Sequence, residues 1–142
     1  MGEKFDFFND HSERFLEMAF CSDYFETLAS PDGHGKNTGD CGDTVEVFLC
    51  EDNQRISRIA FRIEGCINTR ACANTIAHLI EGKTVTKAWS LTPQDIIDYL
   101  QSLPPESHHC AELACGALYR ALANLRTNIR DPWKKNYILK QV

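Results

Sequence analysis

From Thr44 to Cys50 the apolar positions Val45, Val47 and Leu49 alternate with Thr44, Glu46 and Phe48. After a polar turn at 51–54 the alternation resumes from Arg55 to Gly65, with Ile59, Phe61 and Ile63 on one side. A period of two places successive side chains on opposite faces, so the two runs predict an antiparallel hairpin with one buried face. On both sides of the hairpin the period lengthens. Phe8, Phe15, Ala19, Phe20, Tyr24 and Leu28 recur at near-helical spacing and predict one long helix or two short ones within residues 4–29. Residues 30–40, with Pro31 and three glycines, then read as a turn. Ala73, Ile76, Ala77 and Ile80 mark a helix over about 66–81, with Gly82 past its end as a stop. Thr92 as N-cap, Pro93 as first helical residue and Asp95 in the first turn announce another, ended by Leu103-Pro104-Pro105. The stripe Ala111, Ala114, Cys115, Leu118, Ala121, Leu122 and Leu125 predicts a last helix over about 108–128. Helix, hairpin, then helices in chain order imply an α+β domain, a small antiparallel sheet of two to three strands with helices packed on one face.

At 142 residues this is one domain over 1–142, with 1–9 and 129–142 as terminal extensions, long enough to bury a core without disulfide staples. A formal net charge of −5 argues against non-specific nucleic-acid binding. The one basic stretch, 126–135, reads as a solvated helix end and tail. No apolar run nears the roughly 20 residues that span a bilayer. The N-terminus has neither the basic-then-apolar pattern of a secretory signal nor the small polar residues of a myristoylation signal, so the expected compartment is the cytoplasm.

Seven cysteines, an odd number, stand at 21, 41, 50, 66, 72, 110 and 115 with no CxxC pair. In a reducing compartment this favours packed thiols, reactive thiols or metal ligands over disulfides. Cys21, Cys50, Cys72 and Cys115 read as packing, because cysteine is among the most buried residue types. Cys41, Cys66 and Cys110 differ in lying at junctions: before a strand, between a strand and a helix, and in the first turn of the last helix. Helix N-termini favour thiolate, the form that binds metal, which marks Cys66 and Cys110. Two neighbours could join them, Asp43 as a carboxylate ligand and His109 as an imidazole ligand. Each taken alone reads equally as a turn aspartate and a surface histidine. Three thiolates with one of these would supply the four ligands of a zinc ion or an iron–sulfur centre.

"CGD" at 41–43 after a glycine-rich turn, "GC" at 65–66 opening a helix that runs to "EGKT", and "LPPxxxHC" at 103–110 stand in that order. Together they resemble the IscU/NifU-type scaffold proteins of iron–sulfur cluster assembly, over roughly residues 10–128. The resemblance implies a compact IscU/NifU-like α+β domain in which Cys41, Cys66 and Cys110 cluster at one end, joined by Asp43 and His109. It implies that a [2Fe–2S] cluster is assembled there transiently, with sulfur from a cysteine desulfurase, and passed to acceptor apo-proteins. Zinc would occupy the cluster-free form. Thiolates hold iron firmly, and one harder oxygen or nitrogen ligand leaves the cluster transferable. The family's chaperone motif, Leu-Pro-Pro-Val-Lys, is altered: Glu106 and Ser107 follow the prolines, which counts against docking of an Hsp70-type chaperone. After Cys66 the family prefers small residues, whereas this chain has Ile67, Asn68, Thr69 and Arg70.

Two other readings stay open: a zinc-binding paralogue with a structural or regulatory role, and a sulfur carrier with a persulfide on Cys66 or Cys110. Enzymatic motifs are otherwise lacking. His11-Ser12-Glu13 matches HxE, but no PCxxC follows it, and "GHGKNTG" lacks the ending of a phosphate loop.

Overall fold

The structure, a computed structural model, describes residues 11–26 and 28–130. The chain runs α1 (Glu13–Phe20), β1 (Gly33–Thr38), β2 (Thr44–Asp52), β3 (Arg55–Glu64), α2 (Ile67–Ile80), α3 (Val85–Trp89), α4 (Pro93–Leu100), a 3-10 turn (Pro105–Ser107) and α5 (His108–Arg130). The strands form one antiparallel sheet in the order β1-β2-β3.

The alternating runs pair as expected. Val45 faces Ile63, Val47 faces Phe61 and Leu49 faces Ile59, which puts all six on the same face of the sheet. That face meets the helices in a single core with Phe15, Ile76, Ile80, Leu118 and Leu122. On the opposite face Glu46 is buried against His34, at 2.5 Å, beside the Phe48 ring. The hairpin turns through Asn53 and Gln54, both at positive φ, as the right-handed twist of two paired strands requires.

The segment read as a turn at 30–40 contains strand β1. Its inward positions are Gly33 and Gly35, opposite Leu49 and Val47. A Cβ on Gly35 would lie 2.3 Å from the Ala121 nitrogen and 2.5 Å from the Ala117 oxygen. One on Gly33 would lie 2.6 Å from the Ala121 oxygen. The strand carries no apolar alternation because the backbone of α5 rests directly on it, and the helix supplies the apolar atoms that a strand normally would. Asn37, the next inward position, donates from Nδ2 to the Leu113 carbonyl at 3.1 Å.

α5 also seals the free edge of β1. The His34 N–H donates to Asn124 Oδ1 (2.9 Å), Arg120 Nη1 donates to the Lys36 carbonyl (2.7 Å), and Asn128 Nδ2 donates to the Asp32 carbonyl (2.8 Å). At the other edge the Phe61 N–H donates to the Tyr24 carbonyl and the Ile56 N–H to the Lys83 carbonyl, both at 2.8 Å.

Among the described residues of the expected 4–29 helical stretch, only Glu13–Phe20 is helical; residues 4–10 lie outside the described residues. The helix stops at Cys21, where Asn74 Nδ2 donates to the carbonyls of Met18 and Cys21, and the chain then extends along the edge of β3. The cap of α4 is as expected. Thr92 and Asp95 form a reciprocal capping box with Pro93 at the start. α3, five residues long, is too short to show a period and was not anticipated.

Candidate metal centre

Three junctions meet at one end of the sheet. The β1–β2 turn, with Gly42 at φ +89°, brings Cys41 and Asp43. The end of β3 delivers Cys66 as the N-cap of α2. The 3-10 turn delivers Cys110 in the first turn of α5. Asn68 Nδ2 donates to Ser107 Oγ at 2.9 Å and ties the start of α2 to the turn that precedes α5.

A carboxylate oxygen of Asp43 and the Sγ atoms of Cys66 and Cys110 all lie within 4.8 Å of one another. Cys41, exposed, stands outside this triad, though its thiol reaches the Asp43 carboxylate. Cys41 and His109 line one side of an open groove of about 440 Å³ with Asn37, Asp40, Glu112 and Leu113. His109 Nε2 lies 3.7 Å from Cys110 Sγ. His109 Nδ1 is 3.0 Å from the Glu106 carbonyl, which can only accept, so in the neutral ring the proton sits on Nδ1. That leaves the Nε2 lone pair, on the side of Cys110, for a cation. The donor set of thiols, one carboxylate and one imidazole matches the chemistry of iron–sulfur and zinc sites. Cys72 and Cys115 are buried and Cys21 and Cys50 half-buried, and none of the four belongs to the triad.

The expectation that a helix N-terminus favours the thiolate of Cys110 has to be set against its burial. It is 1% exposed, and burial pushes its thiol up to about 11, with the Cys66 sulfur and the Asp43 charge adding to the shift and a hydrogen bond to Thr69 opposing it. The residue sits in the first turn of its helix but faces inward, and desolvation outweighs the helix field. Cys66, by contrast, is exposed.

Asp43 is held where α2 begins. The Cys66 side chain makes no capping bond. Instead the Thr69 hydroxyl donates to Asp43 Oδ2 at 2.7 Å and the Cys66 N–H donates to the same oxygen at 3.3 Å. The carboxylate, from another element, does what an acidic residue in the first turn does in a capping box, and it places negative charge at the positive end of the helix. The Thr69 bond chiefly, then the Cys66 N–H and the Cys66 and Cys41 thiols, hold the Asp43 carboxyl below the usual carboxylate range against a smaller effect of burial. A lowered folded value means that this stabilisation is present above the unfolded pKa and is lost as pH falls through the folded one.

Gly65 makes the approach feasible, since a Cβ there would stand 2.8 Å from Asp43 Oδ2. Gly65→Ala is therefore expected to push the carboxylate off the helix end and lower unfolding free energy by about 1 kcal/mol, the worth of a lost cap. Urea unfolding checks this, and an unchanged midpoint would contradict it. Sequence reasoning missed Thr69, fully buried at the third helical position of α2. Its signal was available: a hydroxyl three residues past an N-cap whose own side chain is a poor acceptor.

Residues 28–131 match the NifU-like N terminal domain family. The chain is 33% identical over 109 residues to the iron-sulfur cluster assembly protein IscU of Plasmodium falciparum, covering 72% of this chain and 67% of that one. It is 31% identical over 84 residues to the iron-sulfur cluster assembly scaffold protein IscU 1 of Archaeoglobus fulgidus, covering 59% of this chain and 55% of that one. The chain thus spans little more than half the length of the Archaeoglobus relative. The fold is that of a solved NifU-like protein (N-terminal) from Brucella abortus, with a TM-score of 0.66 at 18% identity, over 82% of this chain and 94% of that one. With the matched segment running from the residues before β1 to the end of α5, the chain belongs to the family of NifU-like N terminal domains.

Proposed function

We propose that this protein is a scaffold on which an iron–sulfur cluster is assembled and from which it is passed to apo-proteins. The observation that carries the reading is the convergence of Asp43, Cys66 and Cys110, from three separate elements, within 4.8 Å. Cys41 and His109 complete the ligand set from the open side. Thiolates of Cys41, Cys66 and Cys110 hold the iron. The harder donors, Asp43 and His109, keep the last position exchangeable, which suits cargo that must leave. A [2Fe–2S] cluster is the form that this number of donors suits, with sulfur supplied by a cysteine desulfurase and acceptor apo-proteins as the destination. The cytoplasm is the compartment, in keeping with seven free cysteines. No helix among the described residues is long and apolar enough to cross a membrane. Glu106 and Ser107 stand where the family's chaperone motif has Val-Lys, which counts against an Hsp70-type chaperone as a partner. The single-domain reading of 1–142, with short terminal extensions, is part of the proposal and is supported by the extent of the family match.

Anaerobic reconstitution with ferrous iron, cysteine, a desulfurase and a thiol reductant that brings the persulfide sulfur to sulfide tests it. The expected product shows [2Fe–2S] charge-transfer absorbance and equal iron and acid-labile sulfide. Tightly held zinc that resists replacement would instead identify a zinc-binding paralogue. A desulfurase-dependent persulfide without iron would identify a sulfur carrier, and Cys66, exposed where Cys110 is buried, is the thiol that would take it.

A further inference from the structure

We propose that Thr69 is a positioning residue for the cargo: its hydroxyl holds one oxygen of Asp43 so that the carboxylate meets the bound ion with the other. The inference rests on the ligand set proposed above and assigns a role to a residue outside it. Thr69 is buried, and its single hydroxyl proton has a carboxylate oxygen at 2.7 Å, the Cys66 sulfur at 3.7 Å and the Cys110 thiol also within reach. The carboxylate, nearer and charged, takes it. The Cys66 N–H falls on the same oxygen. With two fixed donors on Oδ2, that oxygen is engaged, and the other is the one left free of these two bonds to meet an ion.

A threonine hydroxyl in a helix can also turn back to its own helix carbonyls. Here it lies on Asp43 Oδ2 at 2.7 Å instead. The absence of a Cβ at Gly65 keeps the path between the two clear. Position 69 thus acts on the ion through Asp43, and hydrogen bonds of this kind to a ligating carboxylate are typically worth about 10- to 100-fold in metal affinity.

Cobalt(II) titration of the metal-free full chain, followed by thiolate-to-cobalt charge-transfer absorbance, is the test. Thr69→Val, which keeps the shape and removes the hydroxyl, is expected to weaken cobalt binding about tenfold. Thr69→Ser is expected to stay within about threefold of the parent. In an Asp43→Ala background Thr69→Val should cost nothing further, since the residue it acts through is gone. Should Thr69→Val fail to fold, Gly65→Ala pushes Asp43 away while leaving Thr69 intact, and the same tenfold loss is expected. Parent-like affinity in Thr69→Val, or in Gly65→Ala if that variant is needed, overturns the inference. So does an equal loss in the Asp43→Ala background, which would mean that Thr69 acts through the Cys66 and Cys110 thiols or through packing of α2 instead of through Asp43. A parent protein that gives no charge-transfer band at all overturns the ligand set itself, and this inference with it.

Discussion

Cys66→Ser is expected to give a folded protein that retains less than about a tenth of the reconstituted cluster absorbance. Cys66 is exposed, so the change of one atom should move stability by no more than about 0.5 kcal/mol. The loss of cargo follows from the donor. A serine hydroxyl stays protonated where a thiolate forms, and oxygen is a harder, weaker partner for iron in a sulfur-rich site. Cys110→Ser should lose the cluster to the same degree but also cost about 1–2 kcal/mol, because it places a hydroxyl where a buried thiol was. Cys21→Ser is the control and should retain the parent absorbance. Retention by Cys66→Ser and Cys110→Ser together with loss by Cys21→Ser would refute the ligand assignment. Iron and sulfide analysis beside urea unfolding reads both quantities on the same samples.

Gly35→Ala should destabilise the protein by about 3 kcal/mol or more, among the largest effects of any single methyl group here. The added carbon would sit 2.3 Å from one backbone atom of α5 and 2.5 Å from another, and no side chain can rotate out of the way. Relief requires the helix to lift from β1. Lifting it would break the Asn124 and Arg120 bonds to the strand and shift Cys110 relative to Cys41. A fall in the urea midpoint together with poorer cluster loading is the expected pair of results. An unfolding free energy within about 0.5 kcal/mol of the parent would contradict the close contact.

The same contact explains what could and could not be read in the chain. β2 and β3 were legible because their inward residues are large and alternate, and the pairings Val45–Ile63, Val47–Phe61 and Leu49–Ile59 followed. β1 was not, because Gly33 and Gly35 leave no pattern, and what makes the segment a strand is a helix more than 80 positions away. Of the one long or two short helices expected within 4–29, the described residues hold Glu13–Phe20, and Asn74 pins the carbonyls at its end. For the site, Asp43, Cys66 and Cys110 were legible from junction chemistry and motif, and they come together. The burial of Cys110 was not, since position in a first helical turn says nothing of which way a side chain faces. The place of Thr69 three residues past a poorly capping Cys66 hinted at a helix-end role, but not that its partner would be Asp43, 26 residues away on another element.

Both margins of the three-stranded sheet are already spoken for, one by polar side chains of α5 and the other by the Tyr24 and Lys83 carbonyls. Additional strands therefore find few main-chain groups to zip onto, which guards against fibre-like self-association. It also restricts how another protein could engage: strand addition is disfavoured, and the sulfur donor and acceptors proposed above would read side chains around the mouth where Cys41 lies exposed. For the scaffold role proposed above, such a surface would leave each contact to a few side chains around one thiol-lined opening.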